Sequence, residues 1–130
     1  MRRFVLTLAL AALGISIAAC GAGGAGAGTG GSAPGTYSTS FPMPASVSNF
    51  TDTGNGSINF QTKMSISDTI SFYRDAFTKA GLTERTINTS ITDTTFSMVF
   101  DGDPSGKAVV VQGVDLGNGT TNVNIRYEAV

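Results

Sequence analysis

Ser65-Ile66-Ser67-Asp68-Thr69-Ile70-Ser71-Phe72-Tyr73-Arg74-Asp75-Ala76-Phe77-Thr78-Lys79-Ala80-Gly81-Leu82 is the stretch on which the fold turns. Ile66, Ile70, Tyr73, Phe77 and Ala80 recur at spacings of three and four, which lines them up as one apolar stripe on a helix. Ser65 or Ser67 is placed to accept from the free amides of the first turn, as in a capping box. Asp68 suits the positive end of the helix dipole. At the other end Gly81 is a natural C′ residue, and Leu82 falls at C″, where it packs on Phe77 at C3. Start, stripe and stop agree on one amphipathic helix, which needs a partner surface for its apolar side.

That surface is legible on both sides of the helix. Residues 46–52 read as a first strand, with Val47 and Phe50 as inward candidates, and 53–56 (Thr-Gly-Asn-Gly) supply turn residues tolerant of positive φ. Residues 57–63 alternate Ile58, Phe60 and Thr62 with polar neighbours, the period of a half-buried strand. After the helix, 84–90 and 94–101 carry Thr, Ile and Phe in strand-like patterns, with Phe96, Met98 and Phe100 alternating. Residues 107–116 include the run Ala108-Val109-Val110-Val111, Asn118-Gly119 marks a hairpin turn, and 120–130 place Val123, Ile125 and Tyr127 on one face. The order is ββαβββ(β). The expected fold is α+β: a single helix packed on one antiparallel sheet.

Upstream the composition changes. Met1-Arg2-Arg3 is a basic start, and the 16 residues from Phe4 to Ala19 are apolar or small, short of the ~20 needed to span a bilayer. Ile17-Ala18-Ala19-Cys20 resembles the bacterial lipobox: an aliphatic residue, two small residues and a cysteine. The resemblance implies a lipoprotein precursor. Cys20 carries a diacylglycerol through a thioether, a dedicated peptidase cuts before it, and the new amine is open to acylation, by palmitate for example. Residues 1–19 are then the signal peptide. Gly21, where an Asp would favour inner-membrane retention in enteric-type sorting, leans toward the outer membrane. The segment from Phe60 through Phe72-Tyr73-Arg74 to Gly81-Leu82 also resembles a pattern met in small bacterial envelope lipoproteins, one that carries no assigned activity.

Residues 20–40 cannot build a core. Seven glycines fall between Gly21 and Gly31, and 32–40 continue without a charge. Such a stretch does not bury enough apolar area to offset its ordering entropy, so a disordered tether is expected. Twenty residues of it span about 25 Å on average. The folded domain is expected over 41–130.

Charge and composition narrow the function. Without Arg2 and Arg3, six dispersed cations (Lys63, Arg74, Lys79, Arg85, Lys107, Arg126) face nine carboxylates, a net of −3. Phosphate-tracking proteins cluster their cations, so nucleic acid is not the expected partner. There is no His, and Cys20 is the sole Cys, so no disulfide forms within one chain and no histidine activates a serine. The Ser and Lys residues adjacent in sequence have cap or turn roles, the acidic residues read as surface charge, and catalysis is not expected.

Asp101-Gly102-Asp103-Pro104-Ser105-Gly106 is the sharpest candidate site. Read as an EF-hand-type loop, Asp101, Asp103 and Ser105 take positions 1, 3 and 5, and Gly106 takes position 6. Position 12, a Glu in such loops, is Gln112, and strands flank the loop instead of helices. The same residues are standard turn formers, so a plain turn stands beside weak Ca2+ binding. Phe72, next to Tyr73 on the helix, is a second candidate for an exposed contact. The functional expectation is a lipid-anchored envelope protein presenting a non-catalytic binding or assembly domain, with another envelope protein or a glycan as partner and no cofactor. The alternative is an envelope lipoprotein that binds a small ligand or Ca2+ at 101–106.

Overall fold

The computed structural model describes residues 37–130. The expected signal peptide (1–19), Cys20 and most of the expected tether (20–40) lie outside the described residues. The chain is α+β: strands β1 (Ser48–Gly54) and β2 (Ser57–Thr62), helix α1 (Ile66–Lys79), then β3 (Thr83–Glu84), β4 (Ser90–Ile91), β5 (Thr95–Asp101), β6 (Ala108–Asp115) and β7 (Thr121–Glu128). All pairings are antiparallel. The sheet runs β1-β2-β7-β6-β5-β3, with β4 also on β5. The last strand therefore returns to the middle of the sheet and zips against β2.

The helix is built as its sequence dictates. Ser65 is the N-cap, its hydroxyl accepting from the Asp68 amide at 3.0 Å. At the far end the Leu82 amide donates to the Phe77 carbonyl and the Gly81 amide to that of Thr78, a Schellman closure. It requires positive φ at C′, and Gly81 sits at +87°. Ile66, Ile70, Tyr73 and Phe77 are buried, whereas Ala80 ends exposed as the C-cap.

The expected strand over 84–90 is broken. A short 3-10 turn at Thr86–Asn88 divides it into β3 and β4, which both pair with the same edge of β5. The Arg74 guanidinium holds Glu84 in a bidentate pair (2.8 and 3.1 Å), and Thr89 donates to the same carboxylate. Arg85 grips Asp101 in the same way. Side-chain anchors thus add to the ladder bonds along this edge, and Ile87 is left 88% exposed at the turn.

Alternation puts Ile58 and Phe60, Val123 and Ile125, Val109 and Val111, and Phe96, Met98 and Phe100 on one face of the sheet. Helix α1 contacts β3, β5 and β6. The other end of this face is covered by residues 37–47. Phe41 lies on Tyr127 (ring centroids 4.8 Å apart), Tyr37 lies on Phe50 (4.6 Å), and Val47 is buried. Ser46 and Thr62 share a 2.8 Å hydrogen bond beneath. On the tether side of the expected 40/41 boundary, Tyr37 packs on the core and Ser40 shares a hydrogen bond with the Tyr127 hydroxyl. One helix is too narrow to cover a sheet this wide, and the residues before β1 complete the layer.

One buried polar atom stands out. Among the described residues the Tyr73 hydroxyl has no hydrogen-bond partner, and its residue is fully buried. Burial raises its pKa far above the ordinary tyrosine value. An unpaired buried hydroxyl costs about 1–3 kcal/mol. Tyr73→Phe is accordingly expected to stabilise the fold by about 1 kcal/mol, read as a melting temperature higher by roughly 4–8 °C. A lower melting temperature in the variant would mean that the hydroxyl is held by a bond in solution.

Candidate functional site

The 101–106 segment forms a turn held by its own bonds. The Asp103 carboxylate accepts from the Ser105 amide at 2.9 Å, and the Ser105 hydroxyl accepts from the Lys107 amide at 3.3 Å. Asp101 lies at the end of β5 and is clasped by Arg85 through two hydrogen bonds. The Arg85 guanidinium beside it holds the Asp101 carboxyl below its usual range. A cation entering here would have to displace an arginine. Among the described residues no group of three or more His, Cys, Asp or Glu is placed to hold a metal. Asp101, Asp103 and Ser105 thus each have a partner within the fold.

Glu84 is likewise held below the usual glutamate range, first by the hydrogen bond from Arg74 and then by that from Thr89. A general acid needs the opposite shift. The sign for stability follows from linkage. A depressed folded-state pKa contributes stability that is present above the unfolded value and lost as the pH falls through the folded one. The domain is expected to lose stability as the pH drops below about 4.3, the ordinary glutamate value. Glu84→Gln should flatten that loss in melts recorded from pH 6 downward. An unaltered slope would place the acid sensitivity elsewhere.

Two clefts lie along the helix. The larger, about 530 Å3, sits at its N-terminus, lined by Lys63, Ser65, Ser67, Asp93, Asp115 and Thr120 among others. The second, about 440 Å3, runs between α1 and the β4–β5 turn, over Ile66, Ile70 and Ile91. Phe72 does not stand out as a contact: it is half-buried, edge-on to Tyr73 at 5.0 Å.

The opposite face of the sheet is organised differently. Register places Thr51, Asn59, Asn124, Gln112, Ser97 and Ser90 side by side in one row across six strands. Every member is an uncharged hydroxyl or carboxamide. Asn59 and the diagonal Asn122 exchange two hydrogen bonds (3.1 and 3.0 Å), and Gln112 donates to Ser97 at 3.3 Å. Arg126 donates to the side-chain oxygens of Gln112 and Asn124, which sets the direction in which both amides point. At the β4 end, Ser90, Ser97 and Gln112 border a depression of about 300 Å3. No site was expected here from sequence. The polar alternation of each strand was visible, but a row exists only once the register of six strands is set.

Comparison with family models, with curated proteins and with solved structures gives no match for this chain.

Proposed function

We propose that this protein is a lipid-anchored protein of the bacterial envelope that presents a small, non-catalytic binding or assembly domain. The observation that carries the reading is the placement of the sole cysteine, Cys20, at the end of a short apolar leader in the sequence Ile17-Ala18-Ala19-Cys20. A glycine-rich stretch follows, and Tyr37, the first of the described residues, packs against the domain core. Two acyl chains suffice for stable anchoring, at about 0.8 kcal/mol per buried methylene. No helix among the described residues is long and apolar enough to cross a membrane. The outer membrane is the favoured address where the host has one, given Gly21 after the cysteine. The partner is another envelope protein or a glycan, met by the exposed polar sheet face.

The anchor is tested with Cys20→Ala in cells fed an alkyne fatty acid. Wild type is expected to take up the label and to fractionate with membranes, and the variant to lose the label entirely. A variant that is still labelled overturns the anchor. In-cell crosslinking of the wild type is expected to capture an envelope component.

A further inference from the structure

We infer that the outer face of the sheet, along the row Thr51-Asn59-Asn124-Gln112-Ser97-Ser90, binds an uncharged polymer of N-acetylated amino sugars. The inference deepens the binding-domain reading and rests on it. The row crosses six strands, and neighbouring strands lie about 4.8 Å apart, so its residues follow one another at about that pitch across the sheet. A polysaccharide laid across the strands meets that pitch with one sugar after another.

Three observations select the chemistry. The row itself carries no charge, and the cation beside it, Arg126, is engaged with Glu128, Gln112 and Asn124. An acidic or basic ligand therefore finds no free opposite charge on the row. Second, aromatic rings are absent from the row, and the aromatic residues of the strands belong to the core or pack against it. Protein partners are usually gripped through buried aromatic or arginine anchors, and none is offered here. Third, the face already pairs carboxamides with one another. In the Asn59–Asn122 exchange each side chain uses one N–H and one oxygen lone pair, which leaves one of each for a ligand. An acetamido group is the same functional group as those side chains, and sugar hydroxyls match Ser97 and Ser90. The depression of about 300 Å3 beside Ser90, Ser97 and Gln112, whose lining also includes Phe96 and Val114, has room for an acetamido substituent with its methyl on the apolar side.

The test is co-sedimentation of the full-length chain, purified in detergent, with insoluble chitin and, in parallel, with cellulose. Cellulose has the same backbone linkage with hydroxyls in place of the acetamido groups. Retention on chitin and not on cellulose is expected. The double variant Gln112→Ala and Ser97→Ala lies on the solvent side, and its melt reports whether the fold is kept. It is expected to bind chitin about ten-fold more weakly, the loss of one or two hydrogen bonds. Equal retention on both polymers overturns the acetamido assignment. Retention on neither overturns the inference, while crosslinked capture of an envelope component that is insensitive to the double variant leaves the binding-domain reading standing on another surface. Self-association abolished by the double variant overturns it in favour of a second copy on this face.

Discussion

Gly113→Ala is expected to destabilise the domain by about 3 kcal/mol, at the upper end of the range for overpacked cores, with a melting temperature lower by on the order of 15 °C. A methyl at Gly113 would fall 2.1 Å from the Phe96 ring. The ring of Phe96 thus crosses from β5 over the backbone of β6, using space that a side chain would fill. Phe96 is 3% exposed, so it has little room to withdraw. Shortening the ring is expected to restore part of the loss. In the cycle of Gly113→Ala, Phe96→Leu and the double variant, a coupling of at least about 1 kcal/mol should appear. Additive losses would mean that the glycine is required for some reason other than this ring.

Phe41→Ala should cost about as much, roughly 3–5 kcal/mol for a large buried aromatic. The residue lies before the first strand, at the first position of the expected domain, and its ring is 6% exposed and packed against Tyr127. The measurement is denaturant unfolding of Phe41→Ala beside Ser38→Ala. Ser38 is exposed in the same segment, and its variant should stay within about 0.5 kcal/mol of wild type. Equal, small effects at both positions would show that residues 37–47 do not form part of the cooperative unit. A large effect at Phe41 alone confirms that this segment and α1 together close the core.

The helix was readable almost to the residue because its signals are local. Ser65, Asp68, the stripe from Ile66 to Phe77 and the Gly81-Leu82 stop act within a few residues of one another. The strands were readable where one face is core and the other solvent, as in 57–62 and 95–101. The segment 84–91 was not. Its division into β3, a 3-10 turn and β4 is held by Arg74, Arg85 and Asp101, whose partners lie 10 to 16 residues away in sequence. The 101–106 loop illustrates the converse. Its residue types are those of both a Ca2+ loop and a turn, and the clasp of Asp101 by Arg85, 16 residues away, was not visible in them.

By itself the sequence determined the α+β class, the helix with both of its ends, the inward residues of the main strands and the expectation of a lipid anchor at Cys20, because each depends on residues adjacent or nearly adjacent in the chain. Tertiary structure alone decided which strands are neighbours, that residues 37–47 complete the inner layer, and that Phe96 rests on Gly113. It also decided that six uncharged side chains from β1, β2, β7, β6, β5 and β4 form one row. The physical reason is register: a shift of one residue in any strand turns its polar residues inward and its core residues out. Register is set by the burial of all the strands together, which no single stretch of sequence contains.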